Sequence, residues 1–96
     1  MTKIRESARG QYCQVRIPGH CSGNPETTVL AHLNGAGIGL KHPDIFAAWC
    51  CEGCHDLIDG RVQSKNYSRE QVKLMFYDGM IRTQAKLLEL GLIKIS

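Results

Sequence analysis

Five cysteines in a chain of 96 residues constrain the fold more than any other feature. Cys51 and Cys54 form a C-x2-C pair, while Cys13 and Cys21 lie upstream on either side of a Pro-Gly turn. Two separated cysteine pairs are the usual way to build a tetrahedral zinc site. A domain of this size buries only a modest core and often needs such a cross-link. The spacing therefore predicts a structural Zn²⁺ bound by Cys13, Cys21, Cys51 and Cys54.

The sequence leaves two alternatives open for this ligand set. Cys50 adjoins Cys51 and His20 adjoins Cys21, so each neighbour is an alternative ligand. Cys50 ends an apolar run, and we expect it to point into the core as a small hydrophobic residue. The interval between the first two cysteines is longer than the commoner two to four residues. The competing interpretation is that all the cysteines are incidental free thiols.

The length and the composition favour one small domain spanning residues 1–96. The N-terminal segment lacks the apolar region of a signal peptide. No stretch approaches the roughly 18 apolar residues of a membrane span. We therefore expect a cytoplasmic protein with no membrane partner. Thiols stay reduced in that compartment, which disfavours a disulfide-stapled secreted domain.

The net charge of +3 is distributed unevenly along the chain. Residues 1–20 and 61–96 carry an excess of lysine and arginine, whereas residues 21–60 hold one lysine against five carboxylates. An acidic centre between basic ends suits a cation site that meets a polyanion. The distribution predicts a nucleic-acid partner, although ordinary solvated surface charge has the same appearance.

Hydrophobic patterning predicts an α+β fold with few elements. A short helix should precede Cys13. Residues 27–33 are β-branched and apolar and predict a strand, and residues 45–50 predict a second strand that pairs with it in a hairpin. A glycine-rich loop over residues 34–44 joins the two strands. A short helix should then begin near Cys51 and end at the glycine of position 60.

A long C-terminal helix is predicted over about residues 69–90. Ser68 and Gln71 have the spacing of a capping box, and Gly91 ends the run. Apolar residues recur at helical spacing, and they are Val72, Met75, Phe76, Met80, Leu87 and Leu90. The stripe predicts core packing or a subunit contact, so a homodimer through this helix is an alternative.

A second group of polar residues is compatible with a catalytic metal. His55 and Asp59 are four residues apart, which places them on one face of the short helix. A histidine and a carboxylate on one face can hold a single divalent ion. His32 ends the first predicted strand and lies near this pair if the strand packs beside the helix. A lone histidine that ends a strand, as His32 does, is usually structural or faces solvent. For His55, directly after C-x2-C, the structural and the functional explanations are equally good.

The order of these features resembles the HNH endonucleases of the His-Me finger (ββα-metal) superfamily. The resemblance rests on "AH" at a strand end, a variable loop, and C-x2-C-H opening a helix. More narrowly, "CQVRIPGHC", "NPETTVLAHL" and "KHPDIFAAWCCEGCHDLIDG" resemble the prophage-encoded YbcO-like nuclease family. The resemblance implies a treble-clef zinc domain with a motif core at about residues 9–61. It also implies a metal-dependent endonuclease that hydrolyses phosphodiester bonds in DNA.

The resemblance assigns roles to individual residues. His32 corresponds to the general base that activates the attacking water. His55 corresponds to a ligand of the catalytic ion, Mg²⁺ or another divalent metal, and Asp59 sits where some members place a further ligand. Independently of the resemblance, the position of Arg61 just beyond the short helix makes it the candidate for binding the phosphate in the transition state. Arg61 as an ordinary exposed arginine is the alternative.

Two positions depart from the pattern of that superfamily. Many members carry an acidic or histidine ligand just before the base, where this chain has Ala31, so the metal would depend more on Asp59. The middle asparagine of the motif falls near Phe46. Asp44, rather than Asn34, is the preferred substitute, and Asp44 is also the further candidate ligand of the catalytic ion. The rival function is a zinc-stabilised module that binds nucleic acid or protein without chemistry.

Overall fold

The computed structural model describes residues 3–34 and 42–95 of the chain. The predicted loop between the strands therefore lies largely outside the described residues. The architecture is α+β, as predicted, with a hairpin, short helices and a long C-terminal helix. In chain order the elements are α1 (Lys3–Ser7), a 3-10 turn (Pro25–Thr27), β1 (Val29–His32), β2 (Ala47–Cys50), α2 (Glu52–Ile58) and α3 (Arg69–Glu89).

The two strands form an antiparallel hairpin in which Leu30 lies opposite Trp49 and His32 opposite Ala47. The pairing confirms the predicted hairpin, but the first strand is shorter than expected at its start. Residues 25–27 form the 3-10 turn because the side chain of Asn24 caps it, accepting a hydrogen bond from the amide of Glu26 at 3.0 Å. All four residues of β2 are buried, so this strand lies at the centre of the molecule.

The edge of β2 that faces away from β1 is covered by other parts of the chain. The amide of Trp49 donates to Thr83 Oγ1 of α3 at 3.0 Å, and the carbonyl of Trp49 accepts from the amide of Gln14 at 2.8 Å. Backbone groups on an uncovered strand edge would otherwise need water or another chain. These two bonds fix α3 and the segment after α1 against the hairpin.

The long helix begins with the predicted capping box of Ser68 and Gln71. Its buried residues are Val72, Phe76, Gly79, Thr83 and Leu87. Gly79 lies where α3 contacts the segment around Val15. Only glycine fits there, because a Cβ would lie 2.7 Å from Val15 Cγ2 and 2.8 Å from Val15 Cα. Leu90, the last residue of the predicted stripe, is not part of the core: it caps the helix and is 52% exposed.

The outer face of α3 carries exposed apolar side chains at Leu74, Ile81 and Leu88. They recur every seven residues and lie on the side opposite to the buried stripe. The homodimer through this helix stays a prediction. None of the helices in residues 3–34 and 42–95 is long and apolar enough to cross a membrane.

Candidate metal centre and candidate active site

The four predicted cysteine ligands come together although up to 41 residues separate them in sequence. One Sγ atom each from Cys13, Cys21, Cys51 and Cys54 lies within 4.8 Å of all the others. The Sγ atoms of Cys21 and Cys51 are 3.8 Å apart. A tetrahedral zinc with Zn–S bonds of about 2.3 Å requires sulfur separations of roughly 3.8 Å. The donor set therefore fits a structural metal ion such as zinc.

Backbone amides point at this sulfur cluster from both parts of the chain. Four of them donate to sulfur at 3.4–3.5 Å, namely Arg16 to Cys13, Ile17 to Cys54, Ser22 to Cys51 and Cys54 to Cys51. Such donors favour the anionic thiolate that binds a metal. Cys51 is also the N-cap residue of α2, so the helix start and the metal site are built by the same residue.

The long interval between the first two cysteines is explained by a tight turn. The amides of His20 and Cys21 both donate to the carbonyl of Ile17, at 3.1 and 2.9 Å. Gly19 has a φ of 81°, which glycine adopts without a steric cost. The turn folds the segment back so that Cys21 returns to the cluster.

The structure resolves both alternatives for the ligand set. His20 does not join the cluster, because its Nε2 lies 3.2 Å from Ser64 Oγ. Cys50 is fully buried in the core, as expected, and hydrogen bonds with Cys13 and then Cys54 raise the pKa of its thiol. The hydrogen bond with Cys50, followed by that with Cys54, lowers the pKa of Cys13. The two directions, a raised pKa at Cys50 and a lowered pKa at Cys13, agree with Cys13 in the donor set and Cys50 outside it.

The first imidazole–carboxylate pair lies at the loop end of the hairpin, where β1 ends and β2 begins. His32 Nε2 is 2.6 Å from Asp44 Oδ1, and the two side chains are 17% and 16% exposed. His32 ends β1, and Asp44 precedes β2 in a turn closed by the amide of Phe46 on the carbonyl of Pro43. Arg5 of α1 contributes a guanidinium 3.8 Å from the same carboxylate oxygen. Sequence reasoning missed Arg5 because no local pattern connects α1 with this loop.

The second pair lies along α2. His55 Nε2 is 3.1 Å from Asp59 Oδ2, as the four-residue spacing predicts. Arg61 contacts the same oxygen of Asp59 at 3.4 Å and Asp56 at 3.2 Å, while its side chain stays 64% exposed. Asn34 donates to Asp59 Oδ1 at 3.4 Å, so the chain just beyond β1 is joined to the end of α2.

The predicted site residues are thus found as two pairs. Asp44 contacts His32, whereas Asp59 contacts His55. Within residues 3–34 and 42–95, the cysteine cluster is the only group of three or more potential ligand atoms within 4.8 Å of one another. The hydrogen bond from Asn34, two residues after His32, brings the end of β1 beside α2. The arrangement offers an oriented imidazole and, separately, a nitrogen and an oxygen donor for a divalent ion.

Comparisons with known proteins identify close relatives. A family model described as "Putative nuclease YbcO" matches residues 2–92. "Putative nuclease YbcO" of Escherichia coli (strain K12) and "Putative nuclease ybcO" of Enterobacteria phage 82 are each 46% identical over 99 residues, covering 98% of this chain and 99% of the relative. A solved structure, "Structure of a putative bacteriophage protein from Escherichia coli str. K-12 substr. MG1655", is similar with a TM-score of 0.78 and 45% identity. The similarity covers 93% of this chain and 100% of that chain.

Proposed function

The chain belongs to the family described as "Putative nuclease YbcO", and we propose that it is a metal-dependent endonuclease that hydrolyses phosphodiester bonds in DNA. The observation that carries the proposal is the presence of two imidazole–carboxylate pairs, His32–Asp44 and His55–Asp59, on elements that Asn34 joins. In this proposal the cysteine cluster, the hairpin and α2 correspond to the treble-clef frame of an HNH nuclease. The nucleic acid is the substrate, and the cluster holds the zinc.

His32 acts as the general base in the proposed reaction. Asp44 lies against its Nε2, and an ionised carboxylate can only accept a hydrogen bond. The proton is therefore held on Nε2, and the lone pair of Nδ1 is left to take a proton from water. Asp44 is then a positioning residue, which replaces its earlier assignment as a metal ligand. The guanidinium of Arg5 lies 3.8 Å from the same carboxylate oxygen, so Asp44 has a second, positively charged neighbour.

His55 and Asp59 are the residues that would hold the catalytic divalent ion. Their nitrogen and oxygen donors are already 3.1 Å apart, and both side chains are about one-quarter exposed. When bound, the ion supplies charge neutralisation at the phosphate and at the departing oxygen. Mg²⁺ prefers oxygen ligands and keeps several waters, whereas Mn²⁺, Ni²⁺ or Zn²⁺ accepts the imidazole more readily.

Arg61 would grip the phosphate next to this pair. Its guanidinium is held by Asp56 and Asp59 at one edge, yet most of the side chain faces solvent. A guanidinium offers five donors in a planar fork, so it can keep one carboxylate partner and still bind a phosphate oxygen. The basic segments at both ends of the chain would then follow the nucleic-acid backbone without reading its sequence.

A nicking assay on supercoiled plasmid tests the proposal. Purified protein is incubated with added Mg²⁺ or Mn²⁺, and the relaxed product is quantified for wild type and for His32→Ala. We expect nicking to fall by about 10²–10⁴-fold, the usual contribution of a general base. The matched control is His42→Ala, a partly exposed histidine whose ring lies against Phe46. It should nick like wild type, and both variants should keep their zinc content and circular dichroism.

Two results would contradict the proposal in different ways. Equal nicking by wild type and His32→Ala would show that the cleavage comes from another residue or from a contaminating nuclease. No nicking by pure, zinc-loaded wild type with any divalent metal would favour the rival function, a zinc-stabilised binding module.

A further inference from the structure

A groove of about 360 Å³ opens beside the candidate active site, between the end of β1, the end of α2 and the first half of α3. Buried apolar side chains, including Ile58 and Phe76, form its inner part. Lys73 and Tyr77 of α3 line it nearer to solvent. Pockets that bind small organic groups have roughly 300–1,000 Å³ and the same combination of an apolar lining with a few polar groups.

The groove borders the His55–Asp59 pair that is proposed to act in cleavage. Leu33 lines it and directly follows His32 in the chain. Ile58 lines it and directly precedes Asp59. Asn34 also lines it and donates to the carboxylate of Asp59 at 3.4 Å. Through Asn34, a group seated in the groove would therefore lie close to whatever is held by the His55–Asp59 pair.

The charges that line the groove suit a phosphodiester. Arg69 and Lys73 are opposed by Glu70 alone. The guanidinium of Arg69 is occupied, since it donates to the carbonyls of Leu57 and Ile58 at 2.6 and 2.7 Å. Neither the ammonium group of Lys73 nor the hydroxyl of Tyr77 has a hydrogen-bond or ion-pair partner among the described residues. An uncommitted cation next to an apolar groove is complementary to a phosphate next to a base.

We propose that this groove receives the base and sugar of an unpaired nucleotide adjacent to the scissile phosphate. An aromatic ring and apolar side chains accept the face of any base, whereas a base stacked inside a duplex cannot enter. The substrate class is then single-stranded or locally unpaired nucleic acid rather than intact duplex. The inference rests on the proposed function, because it takes the scissile phosphate to lie at the two pairs.

The test measures binding, separately from cleavage. Fluorescence anisotropy is recorded with a fluorescein-labelled oligothymidylate and with a blunt duplex of the same length, without added divalent metal. Wild type should bind the single strand more tightly. Tyr77→Leu should weaken single-strand binding about fivefold or more, since stacking on one aromatic ring is lost, and should leave duplex binding unchanged. Tyr12→Leu, an exposed tyrosine outside the groove, is the matched control.

A second variant keeps the test decisive if Tyr77→Leu is poorly folded, because the ring of Tyr77 contacts Phe76. Lys73→Glu changes an exposed residue and should also weaken single-strand binding, whereas Lys94→Glu should have a smaller effect. Equal affinity for single strand and duplex, or unchanged affinity in both groove variants, would overturn the inference.

The two proposals fail in distinguishable ways. If wild type never nicks DNA but prefers single strands, and the groove variants lose this preference, the groove proposal is supported and the endonuclease proposal is wrong. If wild type nicks DNA through His32 while the groove variants bind and cleave normally, the endonuclease stands and the groove does not.

Discussion

The hydroxyl of Thr83 is the structural link whose removal gives the sharpest test of the fold. It accepts a hydrogen bond from the amide of Trp49 at 3.0 Å and donates to the carbonyl of Gly79 at 2.8 Å. Thr83 is 0% exposed and Trp49 is 1% exposed. Thr83→Val keeps the shape of the side chain but removes the acceptor. The buried amide of Trp49 then has lost its partner, and water cannot easily replace it.

The expected cost follows from that orphaned donor. A buried polar group left without its partner costs about 1–3 kcal/mol of unfolding free energy. In a domain of this size each kcal/mol lowers the melting temperature by about 4–8 °C. Thr83→Val should therefore melt about 4–24 °C below wild type.

Thr28 provides a matched control within the same chain. Its side chain is also buried, at 3% exposed, but its Oγ1 has no hydrogen-bond partner among the described residues. Thr28→Val removes a hydroxyl that is already unsatisfied, so the unfolding free energy should stay unchanged or rise by up to about 1 kcal/mol. Denaturant unfolding at one fixed zinc concentration measures both variants. Equal losses in the two variants would refute the reasoning from Thr83.

Three further substitutions test the packing, the metal centre and the proposed base. Gly79→Ala should lower the unfolding free energy, measured by denaturant titration, by about 1–3 kcal/mol. Alanine is the better helix former, but its Cβ would meet the backbone of Val15. A stabilised variant would contradict that contact. Cys21→Ser should lose bound zinc, measured by mass spectrometry of the metal, whereas Cys50→Ser should retain it. Zinc retained equally by both variants would show that Cys21 is not a ligand. Asp44→Asn should reduce plasmid nicking about tenfold or more while the zinc content stays constant. The reason is that the amide of asparagine can donate to Nε2 of His32, which then no longer holds its proton there. Nicking at the wild-type rate would remove Asp44 from the proposed mechanism.

Local signals in the sequence were enough for most of the elements. The capping box at Ser68, the helix start at Cys51 and the glycine after α2 are each encoded within a few residues, and the structure has them where they were predicted. The 3-10 turn before β1 was missed because Thr27 and Thr28 have strand propensity. The asparagine cap that overrides this propensity acts from three residues upstream of Thr27.

Some contacts of the candidate site could likewise be predicted from local sequence, and others could not. The contact between His55 and Asp59 follows from helical spacing alone. The contact between His32 and Asp44 depends on how the hairpin closes, and the sequence had left Asp44 with two roles. The guanidinium of Arg5 reaches that carboxylate only because α1 packs beside β1.

By itself the sequence predicted two separated cysteine pairs, the hairpin and the two helices around the candidate site, since cysteine spacing, apolar periodicity and caps act over a few residues. Only the tertiary structure decided which sulfur atoms meet, which carboxylate His32 contacts and where a groove opens beside α2. The physical reason is the crossing of α3 over β2, where Gly79 permits close approach and Thr83 satisfies the strand edge. Contacts of this kind join residues 34 or more positions apart, and no local pattern carries that information.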